Sequence, residues 1–359
     1  MKKLQCSLIV VVSLVACGPD PISRASDTQW STKSQSSSNA TITMTNQTAA
    51  TVDKKTVSAR ALFILEKAVE SQSARVRANA IESLRYAPAP VLEKAVRIAL
   101  GDENRGVRFV AAMMVGEAEI CELIPLLEPL LLDDSESVKA ATLGSMYKCG
   151  SNVDLNPLAS MLDSDDPELR GNAAMILGRM GNPSAVEMIR SAAHASSTTI
   201  TPIRRRLINL QLAEALVQLG EREELEVIRA AIFSSIQEAE VTALACQIAG
   251  RLHDVEITST LQGITATPER YPDEIRLVAA AALAEIAPDR VPMKLVLRFT
   301  SSESSSLRSQ CATVLGIHGN SLSLGPLALL LTDLDPFVQI AAAGAIIRID
   351  NGDSMVIAD

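Results

Sequence analysis

Between Val76 and Ile346 one short phrase recurs nine times, and this repetition constrains the chain more than any other feature. An aliphatic residue opens the phrase, a small residue stands at position five, and a larger apolar residue stands at position nine. A glycine often closes it. The plainest copy is Leu169-Arg170-Gly171-Asn172-Ala173-Ala174-Met175-Ile176-Leu177-Gly178. The openings are Val76, Val107, Val138, Leu169, Ile208, Val241, Ile275, Leu307 and Val338, spaced by 31, 31, 31, 39, 33, 34, 32 and 31 residues. Positions one, five and nine lie along one stripe of an α-helix. A period near thirty with helical spacing inside each unit predicts a stack of two-helix repeats, a solenoid. Position five reads Ala80, Ala111, Thr142, Ala173, Leu212, Ala245, Ala279, Cys311 and Ala342, so neighbouring helices are expected to approach there. Position nine is mostly larger, which lets successive layers interdigitate at core density.

A second apolar run precedes each phrase, as in Val91–Leu100, Glu223–Phe233 and Leu322–Leu331, and supplies the partner helix. Asp165-Asp166-Pro167 and Asp335-Pro336 place an acidic cap before a proline in the first turn, and Asn182-Pro183 offers a similar start. No stretch alternates with period two for long enough to predict a strand.

The units resemble HEAT repeats, in the short form also found in phycobilisome-lyase-type proteins. The match rests on an aspartate in the inter-helix turn and a basic residue six positions later: Asp102 with Arg108, and Asp133 with Lys139. Asp163 and Asp165 flank the equivalent place before Arg170. The resemblance covers about 59–350. It implies an all-α, right-handed α-solenoid of about nine HEAT-like repeats, an armadillo/HEAT-like superhelix. It also implies that the second helices line the concave side and that each Asp–base pair bridges its own turn as a rung of a ladder. Asn209 and Thr242 stand where units five and six should carry the base, which interrupts that ladder.

The first residues read as a bacterial lipoprotein signal, with Lys2 and Lys3 ahead of the apolar run Leu8–Val15. That run is shorter than the roughly 20 residues a membrane span needs. Leu14-Val15-Ala16-Cys17 looks like a lipobox, so residues 1–16 are expected to be cleaved and Cys17 lipidated. Residues 17–57, rich in Ser, Thr, Gln and Asn, then form a flexible tether, with a mean reach of about 35 Å. Trp30, the one tryptophan, lies inside it. Residues 58–359 make the repeat domain. These features place the protein in the cell envelope, facing the periplasm. Lipid is the expected membrane attachment, and Gly18 after the cysteine favours the outer membrane.

The formal charge is −9 and aromatic residues make up 3% of the chain, a poor match to the basic grooves and stacking rings of nucleic-acid binders. Of the cysteines left after Cys6 and Cys17, Cys121 opens the first helix of unit three and Cys149 ends its second helix. These two are either a disulfide or two separately buried thiols. Cys246 and Cys311 belong to core stripes two repeats apart.

The three histidines, His194, His253 and His318, open no His-Glu pair and no spaced metal motif. Iron-dependent hydroxylases built on HEAT-like repeats need such pairs. Met113, Met114, Met175 and Met180 read as core filler. No nucleophile elbow, phosphate loop or dinucleotide fingerprint occurs. No catalytic residue, cofactor, metal or small-molecule substrate is therefore expected. The bilin lyases that the repeats resemble act inside the cell, at odds with an export signal.

Two surface features stand out. The wide spacing between Leu169 and Ile208 holds an insertion, residues 194–202, leading into Arg204-Arg205-Arg206. Position eleven reads Lys148, Arg179, Gln218 and Arg251 in four successive units, with Asn172 and Gln211 on the same helices away from the core stripe. Either feature is a partner-binding surface or a solvated face. The final Ser354–Asp359 looks like the start of another helix too short to cover unit nine, which leaves the last repeat uncapped and open to self-association. The expected function is a noncatalytic, lipid-anchored scaffold for a protein or peptide partner. The alternatives are an assembly subunit that packs through its uncapped end, and an enzyme or enzyme-activating subunit.

Overall fold

The computed structural model describes residues 53–194 and 200–355. The signal, Cys17, Trp30, most of the tether, residues 195–199 of the insertion and residues 356–359 lie outside the described residues. The first two hairpins are α1 (Lys54–Ala68) with α2 (Ala74–Ser83) and α3 (Ala89–Ala99) with α4 (Arg105–Glu117). Next come α5 (Ile124–Leu127) with α6 (Glu136–Lys148), and α7 (Asn156–Leu162) with α8 (Pro167–Met180). After these stand α9 (Ala185–His194) with α10 (Pro202–Gln218), and α11 (Leu225–Ala231) with α12 (Ala239–Arg251). The last three pairs are α13 (Thr258–Ala266) with α14 (Asp273–Ile286), α15 (Met293–Arg298) with α16 (Ser305–His318), and α17 (Leu324–Leu330) with α18 (Pro336–Met355). All described regular structure is helical, and the fold is an α-solenoid. Helical structure begins at Lys54, where the Asp53 side chain accepts from the Thr56 N–H, so the repeat domain starts a few residues before the expected 58. Asp166 accepts from the Glu168 N–H at 2.9 Å and Asp335 from the Phe337 N–H at 2.9 Å, each ahead of its helix-opening proline.

The second helices pack side by side in chain order, α2 on α4 through to α16 on α18. The core stripe is buried as its spacing predicts, with Ala80, Ala111, Ala173, Ala245, Ala279 and Ala342 fully inside. The closest approach, however, lies elsewhere on the helix. A Cβ added at Gly116, Gly178, Gly250 or Gly316, all at position ten, would come within 3.0 Å of Ser145, Ala215, Ala282 or Ala345, each at position eight of the next unit. The closing glycines, and not position five, set the spacing of these neighbouring helices.

The solenoid then closes on itself. Helix α18 packs against α1 and α2, and α17 touches α1, the same second-on-second and first-on-first pairing that joins ordinary repeats. A Cβ at Gly344 would sit 2.9 Å from the Cβ of Ser83, which is position eight of unit one. Lys54 Nζ lies 3.1 Å from Asp350 Oδ1, and Asn351 Nδ2 donates to the Tyr86 carbonyl at 3.0 Å. Arg75 lies over the Phe337 ring and Arg348 over the Tyr86 ring. Ser354 and Met355 continue α18 and do not begin a new helix. Among the described residues the uncapped end expected from the sequence is therefore absent: unit one covers unit nine, which removes the premise of assembly through an exposed last repeat.

The ladder also differs from the expected one. The Arg108 guanidinium donates to the Asp102 and Glu103 carbonyls of its own turn, both at 3.0 Å. Its other nitrogens reach the Asp133 carboxylate of the next unit at 2.7 and 2.8 Å. Arg77 does the same to Asp102, and Arg308 to Asp333. Each rung thus joins two repeats, whereas the expected pairs stayed inside one. A guanidinium has five donors and can serve both turns at once. Lys139 has no such fork and pairs with Glu136. In units five and six Arg206 bonds Glu238 and Ser234, and Arg229 of α11 takes the Asp254 carboxylate. Cys121 and Cys149 are joined in a disulfide with 5.5 Å between Cα atoms, tying the two ends of unit three.

A zero-length carbodiimide should couple Lys54 to Asp350, seen as one cross-linked peptide by mass spectrometry and lost in Asp350→Asn; an open superhelix holds these residues at opposite ends and gives no product. Arg308→Ala should cost about 3 kcal/mol in urea unfolding at pH 7, because it strands a mostly buried carboxylate. The bond from Arg308 holds Asp333 below its ordinary 3.8. That stability is present above the unfolded-state value and is lost as pH falls through the lower folded one, so the cost of the substitution should shrink toward pH 2.

Candidate ligand-binding hub

Position eleven lies at or near the C-terminal end of most second helices, and in a closed ring these segments face one another. Nine helices about 9 Å apart set a ring of about 13 Å radius at their axes. Removing about 5 Å for the helix body leaves an opening that long side chains can bridge. Position eleven reads, in order, Tyr86, Glu117, Lys148, Arg179, Gln218, Arg251, Glu285, Ile317 and Arg348. All but Ile317 line one open cavity of about 690 Å³, together with Arg85 and His253. The four residues read as a strip in the sequence are part of a complete circle.

Ion pairs cross this circle. The Arg179 guanidinium, 24% exposed, reaches over α6 to the Glu117 carboxylate, which Arg85 also engages. Arg348 reaches over α16 to Glu285 at 3.3 Å. Arg251 forms a fork on Glu214, both bonds 2.8 Å. Lys148 is exposed and has no ion pair among the described residues. Arg85, Lys148, Arg179, Arg251 and Arg348 thus meet Glu117, Glu214, Glu285 and, near Arg179, Glu82. Burial, and then the neighbouring guanidinia of Arg85 and Arg251, push Arg179 down to about 10, against the pull of Glu214 and Glu82. The hub holds an excess of positive charge inside a chain of net charge −9. The carbonyl ends of the helices favour cations here.

His253 stands out by its backbone. The position-thirteen residues Gly150, Gly181, Gly220 and Gly319 have φ between 68° and 105°, the left-handed conformation that ends a helix without steric cost. Unit two places Glu119 there with φ 53°, and unit six places His253 there with φ 51°. Its Nδ1 lies 3.1 Å from the Glu285 carbonyl, which makes Nδ1 the protonated nitrogen and turns the ring across to unit seven.

The other candidate residues disperse. Asn172 is buried and its Nδ2 donates to Ser137 Oγ at 3.0 Å, while Gln211 packs over Gly171. Both border a small recess that also includes Arg179 and Arg251. Arg204 and Arg205 are exposed at the start of α10, whereas Arg206 is tied to Glu238 at 2.5 Å. The triple arginine is therefore not one surface, since helical geometry turns its third member toward the next repeat. Among the described residues no group of His, Cys, Asp and Glu is arranged to hold a metal ion. No described helix is long and apolar enough to cross a membrane. Cys246 and Cys311 are buried, and burial pushes both thiols up to about 12.

His253→Gly should raise stability by about 1 kcal/mol, the cost of a left-handed conformation in a residue with a Cβ. Urea titration beside the wild type measures it, and an unchanged or lower midpoint would mean that the imidazole bond outweighs the strain.

No curated protein matches the chain in sequence. Among solved structures, the complex of CpcE and CpcF of phycocyanin lyase from Nostoc sp. PCC7120 is similar at 15% identity and a TM-score of 0.41. That likeness covers 79% of this chain and 98% of that one. An engineered protein is similar at 18% identity and a TM-score of 0.31, over 83% of this chain and 95% of its own. Residues 61–146 and 155–234 of this α-solenoid match the family of HEAT repeats.

Proposed function

We propose that this protein is a noncatalytic scaffold that holds a protein or peptide partner at the hub of its ring while lipid on Cys17 anchors it in the cell envelope. HEAT repeats suggest a protein-interaction scaffold. The observation that carries the reading is the convergence of position eleven from eight of the nine units on one open cavity. An inner surface contributed by so many units offers many modest contacts in place of one reactive centre. The buried, high-pKa thiols of Cys246 and Cys311 are poor nucleophiles, which supports a binding role. The Cys121–Cys149 disulfide supports an oxidising compartment such as the periplasm. Lys54 sits beside Asp350, two residues beyond the hub residue Arg348, so a tether ending there would leave the ring from the hub's own face.

The test is crosslinking in intact cells with the tagged protein, a photoreactive residue at position 218, and a Cys17→Ala control. The expected result is one dominant partner crosslinked from the hub, reduced when the protein is no longer membrane-associated. Crosslinks that arise equally from a residue on the outer face, such as position 94, would remove the hub from the account. Membrane association that survives Cys17→Ala, with no lipid on the purified chain by mass spectrometry, would remove the anchor.

A further inference from the structure

The charges at the hub are mismatched in a way that the fold does not need. Two guanidinia share the Glu117 carboxylate, and Arg251 is matched by Glu214. Lys148, on the helix between α4 and α8, extends into the same cavity with no carboxylate of its own. A solvated lysine at a helix end is ordinary. One that shares a cavity with four arginines is an electrostatic cost unless something negative offsets it. His253 adds a second, independent mismatch. It occupies a left-handed backbone conformation that four other units give to glycine and unit two to Glu119, and of these two side-chain-bearing residues His253 is the one that lines this cavity. With Nδ1–H donated to the Glu285 carbonyl, its Nε2 is left for a ligand and donates to an anion when the ring is an imidazolium. Residues held in sparsely populated conformations cluster at binding sites, where the geometry they impose is used.

We infer that the hub is an anion-binding site for a ligand carrying two or more closely spaced carboxylate or phosphate groups, contacted by Lys148, Arg251 and His253 and backed by Arg179 and Arg85. Arginine forks and a mobile lysine are the side chains suited to such groups. The cavity, about 690 Å³, lies within the range of small-ligand sites and also admits the tip of an acidic peptide segment. Arg348 links the site to the seam, since it lines the cavity, pairs with Glu285 and stacks on Tyr86 of unit one. An anion that draws on Arg348 therefore also bears on the contact that closes the ring. This inference deepens the scaffold reading by naming the chemistry its hub recognises, yet it can be tested without any partner.

The experiment is calorimetric titration of the folded protein, in chloride buffer of fixed ionic strength, with two probes: inorganic pyrophosphate and a tetraglutamate peptide. Lys148→Ala and His253→Gly are the hub variants, and Lys94→Ala, on the outer face, is the control. Saturable one-to-one binding of at least one probe is expected. Lys148→Ala should weaken it about tenfold or more, the worth of one charge-assisted contact, His253→Gly a few-fold, and Lys94→Ala not at all. His253→Gly separates roles, because a merely structural histidine would change the unfolding midpoint and leave binding untouched. Preference for pyrophosphate assigns a phosphorylated ligand, and preference for the peptide assigns an acidic segment of a protein. Absence of saturable binding by either probe, or wild-type binding by Lys148→Ala, overturns the proposal. Hub crosslinks to a partner that persist in that case would leave the scaffold reading standing.

Discussion

The fold depends on how closely one second helix can approach the next. Where position ten is glycine, the opposing backbone comes near enough that a single methyl group would collide with it. The four such contacts belong to units two, four, six and eight. Two further glycines, Gly144 and Gly344, make the approach from position seven, and the second of them forms the seam. Interior packing is dense and resists small changes of volume, so a small residue at a fixed place fixes the step between repeats. The steps sum to a closed circuit, here after nine units among the described residues, with α18 packed on α1 and α2.

Closure changes the meaning of every residue on the inner face. In an open superhelix position eleven is a strip facing solvent. In a ring it is a circle in which residues two units apart face each other, as Arg179 faces Glu117 and Arg348 faces Glu285. The side chains at these places are long and charged because the opening is too wide for apolar contact and too narrow for full hydration. The arginine rungs on the turns act differently. They sit where two repeats meet, satisfy the carbonyls of one turn and hold the next turn's aspartate, which accepts from the N–H two residues on. Their contribution is to interface geometry and is independent of the hub.

Much of this was legible in the chain. The repeat period, the helical stripe, the capping aspartates before proline and the complementary ends of unit three all rest on local spacing, and the structure bears out the fold they imply. The hub was partly legible, since Lys148, Arg179, Gln218 and Arg251 stood out as a column. Reading that column through all nine units would have added Glu117, Glu285 and Arg348, and with them carboxylates among the cations. Position thirteen, glycine in four units, would have brought out His253 and Glu119 as side-chain-bearing residues at a left-handed helix end. The rung partners were not legible, because a six-residue spacing inside one turn looks as plausible as a reach of twenty-five residues into the next repeat.

The sequence by itself determined that the chain folds into repeated helical pairs, which faces of those helices are buried, and which residues end them. These are properties of windows a few turns long, where hydrophobic spacing and caps act on their own. The closed ring, the crossing of its ion pairs and the gathering of position eleven at one hub were decided only in three dimensions. Closure is the sum of nine small rotations, and no single repeat carries that sum.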